Sequence, residues 1–350
     1  MGTSKSTLPR AEELLATFDE KKPGYGPDHY KPERSAHYAM TYALYASAAA
    51  LSGDKQKAQH AADWLITHAI QSDSRYGWPF PFLYKTYGMD SAESGVIYAP
   101  AQALCVKALL DVFCITKNKK YANSAKKALD YYKQFYTPTQ HGRFYWYSDH
   151  QDEEVDVANV NALLMGQYAR ASKVLKNSEY LKIAFETFEN LWMNRFVNKF
   201  GAYWLTAENH RKRDNNAIHA VFIVQGLIDF TKYMDTDITY SRALKFLRGF
   251  VNSSCLTRWH PTSYYYKGQP AKLWAVGMFI NTFAEAGLDG EARRVAEILK
   301  HYKILKHEDK YSITPSADQY YPRQQAFVAL GLARLQYGGI SENFELKSPN

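Results

Sequence analysis

Asn118-Lys119-Lys120-Tyr121, Asn177-Ser178-Glu179-Tyr180 and Asp237-Ile238-Thr239-Tyr240 are three copies of one pattern, and their starts are 59 and then 60 residues apart. Asn and Asp side chains accept hydrogen bonds from backbone N–H groups just ahead of them, so they open helices and turns. Each copy lies between two stretches with helical apolar spacing. After the second copy, Leu181, Ala184, Phe185, Phe188, Leu191 and Trp192 fall on one stripe. A regular spacing of this size marks a repeated unit of two helices. Extended outward, the period predicts helices over 9–18, 34–52, 54–71, 96–116, 118–135, 157–175, 177–195, 215–233, 238–252, 270–287, 289–302 and 320–337.

These twelve helices form six pairs. Connections within a pair are short, as at Ser52-Gly53-Asp54 and Leu288-Asp289-Gly290. Those between pairs are long and aromatic, over 75–95, 136–154, 196–214, 253–269 and 303–319. Short turns make antiparallel neighbours, and long loops on one face are where such scaffolds carry function. The expected fold is all-α: an (α/α)6 toroid of six helical hairpins, with short β pieces in loops gathered at one mouth. An open helical solenoid is the alternative. The expected organisation is an N-terminal arm with the first helix (1–33), the toroid (34–340) and a C-terminal tail (341–350).

The 350-residue chain is 46% apolar, enough for a large core, and carries 28 Tyr and 7 Trp. Tyr and Trp join a flat apolar face to a polar handle, which suits sugar stacking as well as packing between helices. The 43 basic against 35 acidic residues give a net charge of +8 and favour an anionic partner. Basic residues are dispersed and no helix-turn-helix, RRM or zinc-finger spacing occurs, so nucleic acid is set aside in favour of an acidic saccharide. Cys105, Cys114 and Cys255 form no CxxC, which reads as reduced thiols without zinc or a disulfide framework. The N-terminus lacks the apolar run of a signal peptide, and no apolar run reads as long enough to span a membrane, so a cytoplasmic protein is expected. No HExxH, Walker A, GxGxxG or GxSxG stands in a credible context, so neither metal nor cofactor is expected.

Three segments carry a resemblance. Gly77-Trp78-Pro79-Phe80-Pro81-Phe82, with Lys85, Gly88 and a Ser91-to-Gly95 stretch, precedes Ala99-Pro100-Ala101-Gln102-Ala103 at a helix start. Trp146-Tyr147-Ser148-Asp149-His150 stands eleven residues ahead of Asn161. Gly201-Ala202-Tyr203-Trp204 is followed by Asp214 and, five residues on, His219. In order and spacing these resemble the C-terminal domain of the heparan-type D-glucuronyl C5-epimerases, over roughly residues 34–235. The resemblance implies an (α/α) toroid acting on uronic-acid polymers, and a homodimer is an assembly it leaves open. The family's N-terminal β-rich region has no counterpart here. Its proton-transferring tyrosines are replaced: His150 stands at one, beside Asp149 for Glu. Asn215 follows Asp214 at another. Trp204 takes the place of the third, next to Tyr203.

Removing the C5 proton of a uronate needs a base within hydrogen-bond reach, donors or cations that neutralise the carboxylate, and an acid. Reprotonation of C5 gives epimerisation; protonation of the C4 leaving oxygen gives lyase elimination. The candidate catalytic residues are His150 as base, Asp149 to orient it, Tyr147 and Tyr203 as acids, and His219. The local alternatives are a solvated acidic loop around His150, with Asp152, Glu153, Glu154 and Asp156, and a core position for His219. Candidate substrate contacts are the aromatic Trp78, Tyr87, Trp146, Trp204, Trp259, Tyr265 and Tyr321. The cationic Lys85, Arg213 and Arg323 and the polar Gln102, Asn161 and His260 complete the set. Two other readings stand beside C5 chemistry. One is a six-hairpin glycoside hydrolase with carboxylates drawn from Asp149, Glu154, Asp214 and Asp318. The other is a non-catalytic saccharide-binding protein of polysaccharide assembly.

Overall fold

The computed structural model describes residues 8–72, 74–84, 94–205, 216–234, 240–252, 255–263, 266–301, 303–307, 310–314 and 321–340. Among them are twelve helices at the expected places: α1 (Ala11–Leu15), α2 (Ala39–Leu51), α3 (Lys55–His68), α4 (Ala99–Thr116), α5 (Lys119–Tyr132), α6 (Ala158–Val174), α7 (Ser178–Met193), α8 (Ala217–Met234), α9 (Ser241–Arg248), α10 (Leu273–Glu285), α11 (Asp289–Ile298) and α12 (Pro322–Tyr337). Asn118 and Asn177 cap α5 and α7, accepting from Lys120 N–H at 3.1 Å and Glu179 N–H at 2.9 Å. Asp237 of the third copy lies outside the described residues.

The helices fall into two kinds. All thirteen residues of α2 are buried, and α4, α6, α8, α10 and α12 are enclosed nearly all round. A helix with no polar face belongs inside a larger assembly. α5 instead buries Tyr121, Ala122, Ala125, Ala128, Leu129 and Tyr132 and turns Lys119, Lys120, Lys126 and Lys127 outward. The enclosed helices form an inner ring, each packed on the next: α2 on α4, α4 on α6, α6 on α8, α8 on α10, α10 on α12, and α12 back on α2. The ring is therefore closed, and the open-solenoid alternative falls. Two long-range bonds seal it. Ala11 N–H donates to Gln336 Oε1 at 2.9 Å, and Arg323 pairs with Asp28, 295 positions away.

Small residues set how closely the inner helices approach. A Cβ added at Gly226 would lie 2.1 Å from the Ala162 carbonyl oxygen, and one at Gly331 would lie 2.3 Å from that of Gly277. α4 is, by length and composition, apolar enough to cross a membrane, which corrects the sequence expectation. Its side chains are enclosed by the ring instead.

Among the described residues the long connections carry five antiparallel strand pairs: β1 (Tyr25–Asp28) with β2 (Lys31–His37), β3 (Ile70–Ser72) with β4 (Arg75–Gly77), β5 (Tyr136–Thr139) with β6 (Gly142–Tyr145), β7 (Phe196–Asn198) with β8 (Gly201–Tyr203), and β9 (Lys303–His307) with β10 (Lys310–Thr314). β2 takes residues 34–37, so the helix expected over 34–52 starts only at Ala39. Because every inner helix begins after a long connection, all six inner N-termini point to the mouth. The opposite end, where the short turns lie, is filled by a buried ionic network. Lys107 Nζ donates to Asp111 at 2.8 Å and Arg170 Nη1 to the same carboxylate at 2.7 Å. Gln225 Nε2 bridges Asp229 at 3.1 Å and Glu285 at 2.8 Å.

Candidate functional site

At the mouth the inner helices start at Tyr38, Tyr98, Val157, Lys272 and Tyr321 as N-caps and at Ala217 of α8. First-turn N–H groups lack intrahelical partners and carry partial positive charge. Six such ends around one opening favour an anionic or hydroxyl-rich occupant.

An aromatic wall lines part of this mouth. Ring centroids follow one another from His29 to Tyr30 (4.0 Å), Tyr84 (5.3 Å), Phe80 (5.4 Å), Tyr98 (4.6 Å) and Tyr147 (5.9 Å). The Tyr98 hydroxyl donates to the Tyr84 carbonyl at 2.8 Å, and Tyr98 pairs with Ser148 through an isolated antiparallel bridge. These bonds join the loops that precede α4 and α6. Tyr147 thus stands at the end of the wall, half-buried.

Asp149 does not orient His150. Its carboxylate accepts from Arg75 Nη2 at 2.8 Å, the Tyr131 hydroxyl at 2.6 Å and Ile97 N–H at 2.8 Å. Three donors on a side chain only 5% exposed make it the clasp between the β3–β4 loop, α5 and the start of α4. Asp149→Asn is expected to cost about 2 kcal/mol, since a buried charge-assisted contact is lost. Chemical denaturation checks this, and a change of only a few tenths would remove the clasp. His150 Nδ1 accepts from Asp152 N–H at 3.2 Å, which places the neutral ring's proton on Nε2. In that tautomer its Nε2 carries an N–H, a hydrogen-bond donor, where a base nitrogen is expected from sequence.

Five expected substrate contacts are corrected by burial. The Trp78 indole N–H donates to the Leu65 carbonyl at 2.8 Å, and that of Trp204 donates to Leu191 at 2.7 Å, each 13 residues back. Each tryptophan follows the second strand of its hairpin and locks it onto the preceding outer helix, so neither faces a groove. Gln102 Nε2 donates to the Tyr76 and Ala128 carbonyls, both at 2.9 Å. Asn161 Oδ1 accepts from Tyr145 N–H at 2.6 Å while its amide donates to Asp156. His260 stacks on Phe246 at 4.2 Å and is 3% exposed. These polar groups satisfy buried backbone and loop partners, which is the ordinary duty of a polar residue in a core.

The remaining candidates divide. Trp146 is half-buried, its N–H on Thr137 Oγ1 at 2.9 Å. Tyr203 lies between Phe196 (5.5 Å) and Phe246 (5.2 Å), against outer helix α9. Trp259 pairs with Asn216 at the start of α8, next to His219. His219 is half-exposed as a residue, but its Nδ1 is enclosed with no hydrogen-bond partner among the described residues, and burial holds its pKa down at about 4. It is neutral at pH 7. Lys85, Tyr87, Arg213 and Tyr265, with Asp214, Asn215 and Asp318, lie outside the described residues.

Arg323 and Tyr321 do reach the mouth, at the first turn of α12. They meet residues that sequence reading passed over: Asp28, His29, Tyr30, Lys272 and Trp274. The visible signal was Asp28-His29-Tyr30, a polar-aromatic triplet inside a long connection. Arg323 Nη2 donates to Asp28 Oδ1 at 2.9 Å and to His29 Nδ1 at 3.0 Å, and the guanidinium lies over the rings of Tyr30 and Trp274. Burial, then the charges of Arg323 and Lys272, depress the His29 pKa to about 2, so the ring stays neutral with its proton on Nε2.

The fold so described is the (α/α)6 toroid of a group of sugar-processing enzymes. It is similar to a family 76 α-mannanase of Bacteroides thetaiotaomicron (TM-score 0.64, 13% identity, 93% of this chain and 94% of that one). It is similar also to the cellobiose 2-epimerase of Bacillus thermoamylovorans (TM-score 0.67, 14% identity, 92% of this chain and 95% of that one). A sugar epimerase from a ruminal bacterium shares it too, with a TM-score of 0.63, 12% identity and 92% of this chain against 95% of that one. At these identities the likeness is one of fold. Residues 71–153 match the family model of the D-glucuronyl C5-epimerase C-terminus, the resemblance that the first two motifs carry. No curated protein sequence matches the chain.

Proposed function

We propose that this protein is a carbohydrate-active enzyme that takes an acidic, uronic-acid-containing saccharide across its mouth and abstracts the C5 proton, as an epimerase or a lyase. The observation that carries this reading is the aromatic wall. Phe80, Tyr84, Tyr98 and Tyr147 all fall inside the stretch that matches the C5-epimerase family, and they stand where the inner-helix N-termini converge. Flat rings hold sugar faces, and the positive ends of the inner helices offset the charge that develops at C5 and on the carboxylate. His219, uncharged at neutral pH, is able to take a proton. A bound carboxylate raises its affinity for that proton. Tyr147 brings a phenolic hydroxyl to the far end of the wall.

A hydrolase needs two opposed carboxylates. Of the four named for that role, Asp149 is fully engaged by its three donors, and Glu154 is exposed and holds Thr137. The test is NMR of glucuronate-, iduronate- and other uronate-containing polysaccharides in heavy water, with ultraviolet absorbance alongside. Deuterium at C5 supports the epimerase form, and an unsaturated uronate supports the lyase form. Binding with neither change across the panel would leave a saccharide-binding protein and end the C5 reading.

A further inference from the structure

We propose that the corner of the mouth between the first turns of α10 and α12 is the site that takes the carboxylate of the saccharide, with Lys272 and Arg258 as its contacts and Arg323 held behind them. This rests on the acidic-saccharide reading above and names where the acid group docks.

Charge balance is the first argument. The backbone brings Arg258 to this corner: its N–H donates to the Gln269 carbonyl at 2.7 Å, three residues ahead of Lys272, and its carbonyl accepts from Ala217 N–H at 2.9 Å. Lys272 feels the positive charges of Arg258 and Arg323 against the one carboxylate of Asp28 among the described residues. Burial comes first in pulling the Lys272 pKa down, and the two arginines add to it. Asp28 is already paired with Arg323, so Lys272 and Arg258 have no ion-pair carboxylate of their own among the described residues, and such an excess of positive charge suits a counter-charge.

Helix chemistry is the second argument. Lys272 is the N-cap of α10 and Arg323 is the second residue of α12, and neither helix has an acidic residue in its first turn. Cations at an N-terminus oppose the helix dipole. At α12 buried Asp28 offsets the Arg323 charge, whereas at α10 the Lys272 charge has no such partner among the described residues and is left for a ligand to offset. The first-turn N–H groups of Leu273 and Trp274 and that of Arg323 add donors for the same anion; Pro322 has none.

Preorganisation is the third. The Arg323 side chain is 4% exposed, clamped by Asp28 and enclosed by Tyr30 and Trp274, so its charge is fixed in place. The His29 side chain is 7% exposed, its ring lies against Trp274 at 5.1 Å, and its Nε2 has no hydrogen-bond partner among the described residues. Lys272 and Arg258 remain exposed beside this rigid centre. Tyr30, 40% exposed, links the corner to the aromatic wall, so a sugar ring on the wall brings its carboxylate to the cations.

Calorimetric titration of the full chain with an oligoglucuronide, its carboxyl-reduced neutral counterpart and inorganic phosphate tests this. Wild type is expected to bind the oligoglucuronide at least tenfold more tightly than the neutral oligomer, with affinity falling as salt rises. Lys272→Ala and Arg258→Ala should each remove roughly tenfold of that preference and flatten the salt dependence, leaving neutral-oligomer binding unchanged. Both sites are exposed, so these variants are expected to fold; unchanged thermal melts check that. If wild type prefers the uronate and both variants keep the full preference, the site is overturned while the acidic-saccharide reading stands. If wild type binds both oligomers equally, both fail. Displacement of the oligomer by phosphate at matched charge would make the corner a free-anion site and overturn the sugar-carboxylate assignment.

Discussion

Gly331→Val is expected to lower the melting temperature by on the order of 10 °C or to leave the chain unfolded. Gly331 of α12 faces Gly277 of α10, and an added Cβ would stand 2.3 Å from the Gly277 carbonyl oxygen and 3.1 Å from Ile280 Cβ. The obstacle is backbone, which cannot rotate aside as a side chain does. Gly277 is equally close to Phe327, where its own added Cβ would meet the carbonyl at 2.4 Å. Relief would require α10 and α12 to separate, and in a closed ring that displaces α8 and α2 as well. Overpacking of an ordinary core costs about 1–3 kcal/mol, and a site with no soft neighbour should exceed that range. Gly290 provides the contrast: it lies in outer helix α11 with nothing within 4 Å of an added Cβ. Gly290→Ala is expected to be neutral or stabilising, because alanine loses less entropy in a helix. A Gly331→Val melt within about two degrees of wild type would mean that backbone contact does not set the ring's closure.

The second large effect is a pH-dependent one at the closed end. Burial and the neighbouring Glu285 push the Asp229 pKa up to about 7, against weaker attraction from Lys107, Lys232 and Arg170. Arg334 holds Glu285 down, so the pair divides into one neutral and one charged carboxyl. Asp229 takes hydrogen bonds from Gln225 at 3.1 Å and Gln167 at 3.3 Å. A carboxyl whose folded pKa is raised binds its proton more tightly in the native state. Its stabilising contribution is therefore complete below the unfolded value of about 3.9 and is lost as pH rises through about 7. His29 and His219, with depressed pKa values, act in the opposite direction below about 6.5. Comparison with Asp229→Asn isolates the carboxyl, since asparagine imitates its neutral form. The variant is expected to gain about 2 kcal/mol on wild type between pH 5 and pH 7, in urea denaturation at each pH. Parallel stability profiles for the two proteins would show that Asp229 is charged throughout.

Much of the scaffold is legible in the chain itself. The apolar period marks every helix, and Asn118 and Asn177 announce their caps because a side-chain oxygen two residues ahead of a free N–H is a local device. Alternating loop lengths place the mouth, because a short turn reverses a helix and a long one leaves room for a loop. The aromatic loops and the C5-epimerase likeness of residues 71–153 are also visible in one dimension. Individual site residues are harder to read. Trp78 and Trp204 belong to motifs that look like sugar platforms, yet each indole closes its own hairpin over the preceding helix. A tryptophan spends its flat face and its N–H in the same way on a sugar or on a carbonyl, so its type does not tell which. What the sequence determined by itself is what short-range periodicity and local capping encode: twelve helices, their pairing, and the face that bears the loops. Only the tertiary structure decided that the ring closes, that Asp28 meets Arg323 across 295 positions, and that Lys272 and Trp274 join them at one corner. Those juxtapositions depend on how six hairpins pack around an axis, and the protonation of His29, His219 and Asp229 depends on the burial that packing creates.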